Sequence, residues 1–243
     1  MLAGLRGRGF DVEFHSHAEA ILKEDFPPAL AELESVLIET SIPITEIIRS
    51  GGGEAAATQR MRRALSAKGW TKTKFEIKKI VNGIERESTS HEIDHVKTFD
   101  KGTIALELEW NNKDPFFDRD LENFKRLHAE GAISLGVVVT RGLSLHKILR
   151  SAVQRFAEDR NIASFADLVA HGVTPTARQR GAVERRAAKF GGFSRAWAAH
   201  FVSDKFGEAT THWRKLQDRV RRGVGNPCPL LLIGLSDQII TFD

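Results

Sequence analysis

The chain has 243 residues, 41% of them hydrophobic and 28% charged, which suits one large globular domain with a full core. No apolar run reaches the roughly 18 residues of a membrane helix, and Met1 to Phe10 holds two arginines but no apolar stretch, so neither a helical span nor a secretory leader is expected. The single cysteine, Cys228, excludes an internal disulfide framework and any zinc site built from several cysteines, and a cytoplasmic setting is the expectation.

The net charge is only +4, but it is unevenly spread. Residues 1–60 carry 5 Lys/Arg against 10 Asp/Glu, whereas residues 141–222 carry 17 against 7. Such asymmetry points to a polyanionic partner for the second half, or else to helices with solvated basic faces.

Residues 16–24 and 28–40 read as helices, the second started by Pro27-Pro28 and carrying Leu30, Leu33 and Leu37 at helical spacing. Residues 41–53 read as a break with Pro43 and a glycine triplet, and a helix follows over 54–68, stopped by Gly69. The period then changes. Residues 74–81 alternate as a strand, Asn82-Gly83 is a hairpin turn, and a second strand runs over 84–99. Asp100-Lys101-Gly102 makes another tight turn into a strand over 103–110, with Ile104, Leu106, Leu108 and Trp110 on one face and Glu107 and Glu109 on the other. A helix over 118–130 and a buried strand over 133–140 complete an α-β-β-β-α-β order across residues 54–140. Helices are expected over 144–158, 163–170, 176–189, 193–203 and 207–222, then a final pair of strands over 229–235 and 238–242. No linker interrupts the chain, so a single α/β domain is expected over 1–243, with a core at about 54–140 and a helical accessory region at about 141–228.

Chemistry centres on Asp94, Glu107 and Glu109. Counting outward from the Asp100-Lys101 turn sets Asp94 opposite Glu107, or one step off if Gly102 forms a bulge. Three carboxylates then converge on one hairpin. Like charges facing each other across strands repel, and a hard cation that prefers oxygen ligands removes that cost. A Mg²⁺ ion so held activates water and polarises phosphorus. The spacing Asp-(x)₁₂-Glu-x-Glu is also what a half-exposed acidic strand face produces, so the pattern alone leaves both readings open.

The element order, together with the segment Glu107-Leu-Glu-Trp-Asn-Asn-Lys-Asp-Pro-Phe-Phe-Asp-Arg-Asp-Leu-Glu-Asn-Phe124, resembles the PD-(D/E)xK nuclease core. Within that superfamily it is similar to the BglII/BamHI-type restriction endonucleases, most of all the BglII-like family, over about residues 45–145. The resemblance implies a type II restriction endonuclease: a homodimer that uses Mg²⁺ to cut duplex DNA at a palindrome with a central GATC, such as AGATCT or RGATCY, leaving four-base 5′ overhangs. It implies that Asp94 and Glu107 bind the metal. It also implies that Glu109 stands where most of the superfamily has lysine, as base, water-positioning group or ligand. Asn112 falls at a base-reading position, or else simply turns the chain with Asn111. Lys113 and Arg119 suit phosphate contacts, and Arg119 could equally form an exposed ion pair with Asp118 or Asp120. In the loop after the last core strand, Arg141 is expected to read guanine, and Ser144 either to join it or to cap the next helix. Glu54 could sit near the metal or stabilise its helix start. A repair or phage-defence nuclease and a non-catalytic DNA-binding protein are the rival readings. His15-x-His17 shows no third metal ligand, Gly51-Gly-Gly-Glu lacks the lysine of a phosphate-binding loop, and Arg185-Arg186 and residues 219–222 read as solvated helix faces.

Overall fold

Alternating and continuous apolar runs fold into a central sheet that α-helices cover on both faces. The computed structural model describes residues 1–50 and 53–242, so Gly51 and Gly52 of the expected glycine break lie outside the described residues. In chain order the elements are α1 (Ala3–Gly7), β1 (Asp11–His15), α2 (Ala18–Asp25), α3 (Pro27–Ile38), β2 (Ile42–Pro43), α4 (Ile44–Ile48), α5 (Ala56–Ala67), β3 (Thr71–Val81), β4 (Ile84–Phe99), β5 (Gly102–Glu109) and α6 (Phe116–Ala129). There follow β6 (Leu135–Arg141), α7 (Leu143–Asp159), α8 (Phe165–Ala170), α9 (Ala177–Phe190), α10 (Phe193–Lys205), α11 (Trp213–Arg221), β7 (Leu230–Leu235), a 3₁₀ turn at Asp237–Ile239, and β8 (Ile240–Thr241). The α-β-β-β-α-β order expected of residues 54–140 is the order of α5 to β6.

The six-stranded sheet runs β1-β7-β6-β5-β4-β3. Strands β5, β6 and β7 run parallel to one another, while β1 joins β7, β4 joins β5 and β3 joins β4 antiparallel. This mixed architecture is compatible with a restriction-endonuclease-like fold. Strands β6 and β7 are buried along their whole length, which explains their continuous apolar sequences. Val137, Val139, Leu231 and Ile233 enter one core with α2, α3, α5, α7 and α10. Val138, Leu230 and Leu232 enter the other with α6 and α11.

Three expectations are corrected. Residues 11–15 form an edge strand that was not foreseen, because five residues of weak alternation carry little signal. The final two strands do not pair with each other: β7 inserts between β1 and β6, and β8 is a two-residue partner of β2. The helix expected over 207–222 begins only at Trp213, since Thr210 and Thr211 spend their hydroxyl and backbone groups on neighbouring loops.

The hairpin turns behave as their residues require. Asn82 and Gly83 both take positive φ, at 51° and 79°. Across the Asp100-Lys101 turn the register is Phe99↔Gly102 through His95↔Leu106 without a shift, and the pairing ends one step short of Asp94 and Glu107. On its other side β4 is irregular. Thr71 faces Val96 but Thr73 faces Ile93, so β4 has one extra residue at Asp94-His95. This bulge lets Ile93 and Val96 enter the same core although they are three apart.

Strand β6 packs tightly on α6. A Cβ added to Gly136 would lie 2.4 Å from the Phe124 ring. We expect Gly136→Ala to destabilise the protein by about 1–3 kcal/mol through overpacking. Urea unfolding checks this, and an unchanged midpoint would show that the ring yields freely.

Candidate active site

Strand β5 places Glu107 and Glu109 on the face turned toward α6, on the same side as Ala105, while Leu106 and Leu108 enter the opposite core. Both carboxylates are buried, each with 3% exposure. Asp94 approaches from the β4 bulge and keeps about half its side chain in solvent, at 53%. A fourth carboxylate, Asp120, comes from α6 and is buried at 1%.

Burial raises the proton affinity of Glu107 well above the ordinary carboxylate range, and the charges of Asp120, Asp94 and Glu109 add to the effect. Glu109 is raised from 4.5 to about 8, first by burial and then by Asp120, against the lowering effect of Asn112. Asp120 is raised by burial although Arg119 opposes it. Its Oδ1 accepts from Arg119 Nε at 2.8 Å, but its Oδ2 has no donor.

Among the described residues no three of these four carboxylates bring oxygens within 4.8 Å of one another, so the oxygen-only set suits a hard divalent cation held by one or two of them, with water and phosphate oxygens completing the shell. Lys72 of β3 also reaches this region: its Nζ lies 2.6 Å from Glu92 and 4.0 Å from Asp94.

The loop after β5 is held from outside. Asn112 donates its backbone N–H to Thr211 Oγ1 at 3.0 Å, and Thr211 N–H returns to Asn112 O at 2.8 Å. Lys113 bridges to Thr210, and Asp114 N–H donates to Ala209 O. Asn112 Nδ2 then donates to Glu109 Oε2 at 2.7 Å. Asn111 leaves Oδ1 buried and unpartnered, while Asn112, Lys113 and Arg119 are exposed. Arg119 stacks over Phe116 at 4.4 Å and bonds Asp120 rather than Asp118; its partner is buried, not the exposed acid expected.

Three further expectations are corrected. Arg141 is fully buried and cannot meet a base edge. Its Nε donates to Trp110 O at 2.9 Å and its Nη2 to Thr211 O at 2.7 Å and Thr210 Oγ1, so it ties the end of β6 to both loops. Burial lowers its proton affinity to about 9, still high enough to keep its charge at neutral pH. Ser144 neither caps α7 nor faces this site. Gly142 is the capping position, and Ser144 Oγ accepts the Asp237 N–H at 3.1 Å. Arg219, read as part of a solvated face, is buried against Asp114 and Asp118 at 2.9 and 3.2 Å.

Beside Asp94 opens a cleft of about 1290 Å³ between α5, the start of β3 and the loop after β5. Asp94, His95, Asn111 and Asn112 line it, whereas Glu107 and Glu109 lie behind on the α6 face of the sheet. Arg49, Arg62, Arg63 and Lys72 bring positive charge to its walls. These cations come from the less basic part of the chain, so regional net charge did not reveal them. Glu54 lines the cleft too, paired with Arg62 at 3.1 Å.

The raised affinities fix a pH dependence. Between about 4.5 and 8 the folded protein keeps the Glu109 proton that the unfolded chain has lost, so without metal its stability falls as pH rises through that window. Glu107 and Asp120, raised likewise, act in the same sense. Urea unfolding in a chelator should therefore give a lower midpoint near pH 8 than near pH 5, and Mg²⁺ should restore more stability at the higher pH. Glu109→Gln should flatten this dependence, and an equally steep profile in that variant would contradict the assignment.

Among curated proteins none matches this chain. The family model for the restriction endonucleases BglII/BglIII matches residues 10–235, which takes in the sheet from β1 to β7, the four carboxylates and the loop that carries Asn112. The chain belongs to this family of restriction endonucleases and is a site-specific deoxyribonuclease.

Proposed function

We propose that the chain is a Mg²⁺-dependent type II restriction endonuclease with a PD-(D/E)xK core at about residues 54–140, acting as a homodimer on palindromic duplex DNA. One observation carries this reading: Glu107, Glu109 and Asp120 are buried together on the α6 side of the sheet in a chain of this family. Two-fold protein symmetry matches a two-fold DNA site, and a hexamer with central GATC, AGATCT or RGATCY, is the proposed target. The helical region 141–228 lends exposed basic residues such as Arg185, Arg186, Arg221 and Arg222 to the phosphate backbone.

Asp94 and Glu107 would hold the ion. When bound, it supplies an activated water, polarisation of the phosphorus and stabilisation of the leaving oxygen. The chain's own groups do the rest. Glu109, ionised once a divalent charge sits nearby, would take the proton of the attacking water. Asp120 stands behind it as the second holder of that proton and fixes Arg119, whose remaining N–H groups meet a phosphate oxygen. Asn112 joins recognition to chemistry. One Nδ2 hydrogen holds Glu109, and the other hydrogen and the carbonyl are left to span an adenine edge. Lys113 and the cations of the cleft contact the backbone.

Plasmid DNA incubated with the protein and Mg²⁺, followed by sequencing of the fragment ends, reads both site and overhang. Discrete bands are expected. A smear would favour a nuclease without a fixed palindrome, and intact DNA that is nonetheless bound would favour a non-catalytic binding protein. Glu107→Ala should reduce cleavage by at least ~100-fold while specific binding persists. Cleavage near the wild-type rate would remove Glu107 from the metal site. Asn112→Ala should weaken discrimination between cognate and single-substitution sites by about 1–3 kcal/mol, more than it weakens nonspecific binding. Equal losses on both would remove it from base reading.

A further inference from the structure

A second polar cluster lies on the far side of Arg141. His146 from the first turn of α7 and His212, just ahead of α11, stack with ring centroids 4.1 Å apart. Glu208, 79% exposed, reaches both: its oxygens lie 3.6 Å from His146 Nε2 and 3.6 Å from His212 Nε2. These separations are too long for hydrogen bonds. His212 is 1% exposed, yet neither of its ring nitrogens has a partner. A buried imidazole without a partner on either nitrogen is costly unless something else meets it.

We propose that His146, Glu208 and His212 form a second metal site, separate from the carboxylate cluster, that takes a Zn²⁺-class transition ion. The spacing suits it. Two ligand atoms about 2.1 Å from one ion at tetrahedral angles lie about 3.4 Å apart, close to the two observed separations. Two imidazoles and one carboxylate favour a borderline ion over Mg²⁺, which prefers oxygen throughout. Burial keeps His212 neutral, with a proton affinity lowered to about 4, and His146 is shifted the same way, so both rings offer lone pairs at neutral pH.

Arg141 is the opposing neighbour. Its Nη1 lies 3.4 Å from His146 Nδ1, and ligation through Nε2 puts the proton on Nδ1 and gives up that contact. Arg141 keeps Trp110 O, Thr211 O and Thr210 Oγ1, so it stays fixed. Ligation requires the two rings to turn out of their stack until both Nε2 lone pairs point to one ion. Filling the site would tie residues 208–212 to α7, and Thr210 and Thr211 in that segment are the groups that hold Asn112 and Lys113.

Titrating Zn²⁺ into the full-length protein tests this, with excess Mg²⁺ present to fill the carboxylate cluster. Calorimetry should show one equivalent bound per chain, with a rise in Tm. Co²⁺ in its place should give the visible absorption of an imidazole-ligated ion. Glu208→Ala, an exposed change that leaves the core intact, should weaken Zn²⁺ binding more than the roughly tenfold that loss of a group merely orienting a ligand brings. His146→Ala should do the same while leaving Mg²⁺-dependent stabilisation unchanged. Absence of stoichiometric binding, or binding unaltered in both variants, would overturn the proposal. Neither result bears on the carboxylate site.

Discussion

Burial of several carboxylates against one another is the constraint from which the rest of the site follows. Glu107, Glu109 and Asp120 are almost fully removed from water, and Asp94 adds its charge from the solvent side. An isolated ionised carboxylate is costly in such surroundings, and several together repel. The folded chain relieves this with protons, as the raised affinities of Glu107 and Glu109 record. A divalent cation relieves it more completely, and the same charge that would stabilise the fold would then serve phosphodiester hydrolysis.

The fold assembles these groups from elements that are weak signals by themselves. The β4 bulge brings Asp94 beside β5 without disturbing the core phase of Ile93 and Val96. Helix α6 supplies Asp120 and Arg119, and its packing on β6 leaves no room for a side chain at Gly136. Arg141 then fastens the loop after β5 to the segment ahead of α11. Asn112 is thereby held through its backbone before its side chain meets Glu109. Preorganisation of this kind lowers the cost of ordering that side chain when a ligand arrives.

Membership of the BglII/BglIII restriction endonuclease family gives this arrangement its chemical context. An asparagine and a second carboxylate surround Glu109, and Lys72 stands across the bulge near Asp94. The cationic walls of the neighbouring cleft suit a phosphate backbone passing close to Asp94.

Local pattern determined the hairpin strands, their turns and the facing of Glu107 and Glu109. Period-two alternation and Asn-Gly or Asp-Lys-Gly turns act over a few residues, and the register from Phe99↔Gly102 to His95↔Leu106 follows by counting. The segment from Glu107 to Phe124 also carried enough specific residues to point to the family. Tertiary structure alone decided what depends on distant packing. Asp120 became part of the site because α6 folds back over β5, and a helical acid otherwise resembles any surface charge. Arg141 was withdrawn from DNA because Trp110, Thr210 and Thr211 converge on it from 31, 69 and 70 residues away. Strand β1 and the place of β7 were likewise invisible, since an edge pairing depends on which strand is free beside it and not on its own five or six residues.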